Sequence, residues 1–398
     1  MFSSSSGSST RSNTDIFATE RFLTDFLDCD VSSRTHLFEE GVASGVLIPD
    51  TNSANLRDAL SSMKGGTVCA MKLRKISMAH KDKQTHKMLN NALRDYLQVC
   101  FSRDALEFRQ VTFESSHGAM LERVAEKDSV LSRIRTLREL KRRLGNGRRC
   151  YALLHPQLPD DPVAFIHVAL TQELAPGIQY LDRYCKQHLA PKCAMFYSVN
   201  SPHAVLSGLD LASRIIKLAV ADVAKDFPSI DTFSTLSPIP GFNGWLAKVA
   251  EGEIGGVKLP QEIVEDFADA APSGAEANVL AHINNIVNTA SDWHKDERVK
   301  LRLQPALEWL GRHYLTSQTD VRGSSIPYDP VARFHLRNGA SLHRLNFLGN
   351  DSLIGLSRSS GLMVNYMYDM QHLQERARSF PKVHIHDAFH HISGHGEC

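Results

Sequence analysis

Apolar positions in the first third of the chain recur at helical spacing: Leu89, Leu93 and Leu97 fall four apart, and Val130, Ile134, Leu137 and Leu140 keep the same rhythm. With little proline and no alternation across residues 15–144, this stretch predicts a helical domain. The pattern changes after Arg148. Residues 150–154 and 163–170 are short β-rich runs split by a turn containing Pro159-Asp160-Asp161-Pro162, so a hairpin is expected. Next come a helical stretch at 177–185, a strand at 194–199, a helix at 208–223 and a strand at 232–236, which read as an α/β sheet domain. Helical spacing returns over 240–314, broken near Gly255-Gly256 and Pro272. The final segment holds one more helix and a strand at 362–368.

Length and charge narrow the picture. At 398 residues the chain exceeds a single core, and two domains are expected: 15–145 helical and 146–380 around the sheet, with a disordered tail at 1–14 and a mobile tail at 381–398. Lys plus Arg (45) balances Asp plus Glu (44), which points to neither nucleic acid nor an anionic membrane. No apolar run approaches the roughly 20 residues that span a bilayer. Seven cysteines without a C-x-x-C pair fit reduced thiols inside a cell. The Ser-rich opening carries Arg11 alone and reads as a plain tail rather than a transit peptide. The ending Gly396-Glu397-Cys398 is not a peroxisomal Ser-Lys-Leu, so mitochondrial matrix and cytoplasm both stay open.

Three segments carry candidate chemistry. In Ser234-Thr235-Leu236-Ser237-Pro238-Ile239-Pro240-Gly241-Phe242, two prolines stop a strand and leave Ser237 at its C-terminal end, where open α/β sheets bind ligands; Pro240 is expected to open a helix. Spacing alone leaves a plain helix-capping turn as the alternative. In Asp329-Pro330-Val331-Ala332-Arg333-Phe334-His335-Leu336-Arg337-Asn338-Gly339, Asp329 caps a helix, Pro330 fits its first turn and Gly339 ends it. His335 then falls in the last turns, where the helix dipole favours imidazolium and a proton donor is expected; a structural histidine is the alternative. The third segment is Arg344-Leu345-Asn346-Phe347 followed by Gly361-Leu362-Met363-Val364-Asn365-Tyr366-Met367-Tyr368. The basic run Arg133 to Arg149 reads as a solvated helix face, and the C-terminal His384, His386, His390, His391 and His395 as part of a mobile tail rather than a metal site.

Taken together and in this order, Thr-Leu-Ser-Pro-Ile-Pro-Gly-Phe, Phe-His-Leu-Arg-Asn-Gly-Ala and Gly-Leu-Met-Val-Asn-Tyr resemble malonyl-CoA decarboxylases. The likeness extends upstream through Lys141-Arg142-Arg143-Leu144-Gly145 and Ile166-His167-Val168-Ala169-Leu170-Thr171, and covers roughly residues 95 to 370. It implies a mixed α/β (α+β) fold: a helical N-terminal domain, then an acetyltransferase-like (GNAT-type) mixed-sheet catalytic domain with a helical insertion, assembled as a homotetramer. The family's catalytic serine falls on Ser237, its histidine on His335, and a tyrosine near the malonyl group on Tyr368. Its CoA-phosphate loop falls at His203-Ala204-Val205-Leu206-Ser207-Gly208, with Val205 standing where the family commonly has glycine. Asn338 and Asn365 complete the expected substrate-binding set.

The implied activity turns malonyl-CoA into acetyl-CoA and carbon dioxide in fatty acid metabolism. The substrate's own thioester holds the carbanion left behind as an enolate, so no metal, flavin or pyridoxal is expected. An acyl-CoA acetyltransferase, or a non-catalytic acyl-CoA-binding scaffold, is the competing reading.

Overall fold

The computed structural model describes residues 13–47, 54–79, 84–128, 134–185, 190–267, 276–289, 292–316, 327–386 and 389. The chain divides into two compact units that interleave in sequence: 1–109 with 152–165 and 201–215, and 110–151 with 166–200 and 216–398. The expected boundary at 145/146 falls inside the second of these.

The first unit is mainly helical. Asn13–Asp28 packs on Ala54–Ser62, and Gly66–Ala79 on Gln84–Cys100. Leu89, Leu93 and Leu97, the positions spaced by four, are all buried, so the 3.6-residue periodicity does set the packed face of Gln84–Cys100. The expected tail 1–14 lies outside the described residues except for Asn13 and Thr14, which open the first helix.

Most of the sheet lies in the second unit. Its strands are β1 (Glu107–Gln110), β2 (Arg148–Leu154), β3 (Ala164–Thr171), β4 (Cys193–Asn200), β5 (Thr232–Thr235), β6 (Ser237–Pro238), β7 (Ser341–Asn346) and β8 (Met363–Met367). From β2 the order runs β2-β3-β4-β5-β8-β6, with β7 also paired to β8. Every residue of β3 and nearly all of β2 and β4 are buried, as near-continuous apolar runs require when both faces of a strand are covered. The β4–β5 pair is parallel, which is why a helix, Leu211–Asp226, intervenes in sequence; β8 runs antiparallel to β5, β6 and β7. The expected mixed α/β architecture with a helical N-terminal region is therefore present, and the expected helical insertion supplies Phe242–Ala250, Gln261–Asp266, Glu276–Thr289 and Glu297–Thr316.

Two local expectations need correction. Pro240 does not open a helix; Gly241 is the N-cap and Phe242 the first helical residue. A side chain at Gly241 would drive its Cβ into the Tyr314 hydroxyl, so glycine is needed for close approach rather than for an unusual φ. Nor is the basic run uniformly solvated. Arg135, Arg138, Lys141 and Arg142 are exposed, but Arg143 and Arg148 are buried. Arg143 reaches one oxygen of the buried Asp128, with His167 Nε2 3.4 Å from that same oxygen; the other accepts from Ser198 Oγ at 2.8 Å, and Asn200 Nδ2 lies 2.8 Å from Ser198 Oγ. A buried guanidinium needs carboxylate partners, and Asp128 and Glu139 supply them.

Candidate active site

Strand alternation assembles the site. Thr235 and Ser237 are two apart on extended chain, and so are Tyr366 and Tyr368, so each pair presents side chains to one face. The β8 register sets Ser237 opposite Val364 and Ser234 opposite Met367, while the Tyr368 amide donates to Phe233 O over 2.8 Å. Met363 and Leu236 turn to the other face, where they join Ala175, Leu181 and Met195 in an apolar cluster.

His335 comes to the first of these faces on the helix Pro330–Arg337. Asp329 starts that helix as expected: its Oδ1 accepts from Val331 N at 2.9 Å and Ala332 N at 2.8 Å, while Tyr314 OH donates to Oδ2 over 3.3 Å. Asn338 caps the other end, its Nδ2 donating to Phe334 O, and Gly339 leaves the helix at φ +84, where a Cβ would also meet the Leu373 carbonyl.

Ser237, His335 and Tyr368 form one buried chain. Ser237 Oγ lies 3.0 Å from His335 Nε2 and donates to Thr235 Oγ1 over 3.0 Å; His335 Nδ1 lies 2.9 Å from Tyr368 OH. The ring of Tyr366 stacks on the imidazole, centroids 4.6 Å apart, with Phe334 edge-on to it. Ser237 keeps 6 % of its surface exposed and His335 4 %. Such surroundings hydrate an imidazolium poorly, and burial alone pushes the His335 pKa down to about 3. The helix dipole that favours imidazolium is worth at most about 2 kcal/mol, and loss of water outweighs it. His335 acts as a neutral ring with one N–H. Burial likewise pushes the Tyr368 and Tyr366 hydroxyls far above their ordinary values, so both stay protonated.

Asn365 does not join this cluster. It faces the opposite side of the sheet, where Nδ2 donates to Thr235 O (2.8 Å) and Oδ1 accepts from Asn346 Nδ2 (2.9 Å) and Arg344 Nε (3.1 Å). From β8 it ties the end of β5, two residues before Ser237, to β7. Asn338 is occupied by its own helix end.

The loop residues His203, Val205, Ser207 and Gly208 belong to the first unit. Ala204–Leu206 forms a 3-10 turn followed by Ser207, and the buried Arg74 donates to Val205 O at 2.6 Å and Ser207 O at 3.1 Å. His203 Nε2 lies 3.4 Å from Asp161, and Gly208 adopts φ +86, a conformation that favours glycine. Sequence reasoning missed Arg74, which no local motif marks. It also passed over Thr235, whose position two residues before Ser237 is the readable signal. Of the C-terminal histidines, His384 pairs with Ser379 Oγ at 2.7 Å, while His390, His391 and His395 lie outside the described residues.

Comparisons with known proteins bear on the family. Residues 105–385 match the family model of the malonyl-CoA decarboxylase C-terminal domain. The chain is 33% identical over 288 residues to "Malonyl-CoA decarboxylase, mitochondrial" of Mus musculus, covering 71% of this chain and 57% of that protein. With the Anser anser anser protein of the same name it shares 32% over 290 residues, 72% of this chain and 56% of the relative. It thus spans little more than half the length of these curated relatives. A crystal structure of malonyl-CoA decarboxylase from Rhodopseudomonas palustris superimposes with a TM-score of 0.73 at 25% identity over 96% of both chains, and one from Agrobacterium vitis with 0.77 at 24% over 96% of both, the latter a likeness of fold. Because the family model takes in most of the chain, including Ser237, His335 and Tyr368, the chain belongs to the malonyl-CoA decarboxylase family.

Proposed function

We propose that this protein decarboxylates malonyl-CoA to acetyl-CoA and carbon dioxide, without a cofactor, at Ser237, His335 and Tyr368. The observation that carries the reading is the buried Tyr368–His335–Ser237 chain around a neutral imidazole. A cation held against the substrate carboxylate would stabilise the ground state and oppose its departure; neutral donors orient it while burial strips its water. As the carbon–carbon bond breaks, its electrons pass into the thioester as an enolate, and hydrogen-bond donors at the site stabilise that oxygen. His335, directly or through a water, delivers a proton to the carbanion carbon and recovers one from solvent.

The loop His203 to Gly208 is proposed to bind the CoA pyrophosphate through backbone amides, with Arg74 holding its carbonyls turned away. Asn338 and Asn365 are proposed to support the binding site by fixing the His335 helix and the end of β5 that leads to Ser237. The protein is proposed to work as a homotetramer in the mitochondrial matrix or cytoplasm; the mitochondrial names of its relatives favour the first. Light scattering on the purified chain should give a mass near four protomers, and a monomer would overturn the assembly.

Carboxyl-labelled malonyl-CoA without any acceptor tests the activity. Equal yields of carbon dioxide and acetyl-CoA are expected, falling about 10²- to 10³-fold in a folded Ser237→Ala variant, the usual cost of one oriented donor. Free CoA released only with an amine acceptor would replace this reading with an acetyltransferase, and tight binding without turnover with a scaffold.

A further inference from the structure

Ser237 has two partners on its own face of the sheet, and the geometry distinguishes them. It donates to Thr235 Oγ1, 3.0 Å away, and its other contact is His335 Nε2, also at 3.0 Å. Thr235 Oγ1 is itself held by the main-chain N–H of Tyr366, which donates to it over 3.1 Å, while the Tyr366 ring lies on the imidazole. A serine hydroxyl has one proton to give. With that proton on Thr235, the hydrogen between Ser237 and His335 must belong to Nε2, and Nδ1 must be bare to accept from the Tyr368 hydroxyl at 2.9 Å. In the opposite arrangement Ser237 donates to a bare Nε2, Nδ1–H donates to Tyr368, and the serine is activated as a nucleophile.

We propose that Thr235 is a positioning residue that fixes the direction of this chain, Tyr368 to His335 to Ser237 to Thr235, so that His335 presents Nε2–H as a donor and Ser237 is not activated for attack. Its consequence rests on the decarboxylase reading. An anion arriving at Ser237 takes over the proton otherwise held by Thr235, and the hydroxyl turns to the substrate while His335 keeps its tautomer. No covalent bond to Ser237 forms.

Nitrogen-15 NMR of histidine-labelled full-length protein reads the tautomer directly, with the His335 signal assigned by its loss in His335→Asn. The expected result is Nε2 protonated and Nδ1 bare in the wild type and in Thr235→Ser, which keeps the acceptor and turnover within about twofold. Thr235→Val, which removes the acceptor, should populate the Nδ1–H form and lower kcat at least about tenfold. A wild-type ring protonated at Nδ1, or a folded Thr235→Val variant that keeps Nε2–H, overturns the proposal even if malonyl-CoA is decarboxylated normally. Should Thr235→Val not fold, the wild-type and Thr235→Ser spectra decide it. The expected tautomer in a protein that releases no carbon dioxide would sink the functional reading and leave this assignment standing.

Discussion

At His335 two electrostatic effects oppose each other, and their balance is measurable. The ring sits in the last turn of its helix, where a positive charge is favoured, yet its buried setting holds the pKa near 3. In the unfolded chain the same ring titrates near 6.5. Above that value both states are neutral and the full contribution to stability is present; as pH falls toward 3 the unfolded chain alone takes up the proton, and stability is lost. Between pH 7 and 5 the urea-unfolding free energy of the wild type should fall by about 2 kcal/mol more than that of His335→Asn. Parallel pH dependence in the two proteins would contradict a buried neutral ring. The charge state was not legible in the sequence, because the motif shows where His335 stands on its helix and not what packs over it. The pairing with Ser237 came instead from the family resemblance, since residues 98 apart share no local signal.

Elements were legible where apolar pattern and punctuation agreed. The runs at 150–154, 163–170, 194–199, 232–236 and 362–368 all became strands, and Asp329-Pro330 opened its helix as read. β7, Ser-Leu-His-Arg-Leu-Asn, escaped notice because its polar residues are spent on partners such as Asn365 and the Leu174 carbonyl, so burial does not show as hydrophobicity. The helix cap at Asp329 carries its own prediction. Burial raises this carboxyl to about 6, above its unfolded value, so its stabilising contribution is complete below about 4 and is lost as pH rises through 6. Asp329→Asn keeps the cap without the charge, and the wild type should lose stability relative to it between pH 5 and 8. Asp329→Ala, which also discards the cap, should unfold about 1–2 kcal/mol more easily than Asp329→Asn. Equal stabilities for the two variants would remove the cap from the account.

At the scale of the whole molecule, the buried charge at Asp128 ties the segment before β2 to β3 and β4 through Arg143, His167, Ser198 and Asn200. Asp128→Ala leaves Arg143 without that carboxylate and should cost about 3–5 kcal/mol in chemical denaturation, far more than a surface pair. A loss below 1 kcal/mol would show that water reaches the guanidinium. Neither partner was readable as buried, since a basic helix followed by strands looks the same whether its arginines face out or in. The interleaving of the two units has a consequence for synthesis. The helices up to Arg109 leave the ribosome early, but their unit is complete only when the segment ending at Ile215 has followed. At ~5–20 residues per second that is a wait of roughly 5 to 20 seconds. During it the nascent chain holds the apolar faces of a half-built core in reach of chaperones, and a ribosome halted between those points should carry a protease-sensitive product.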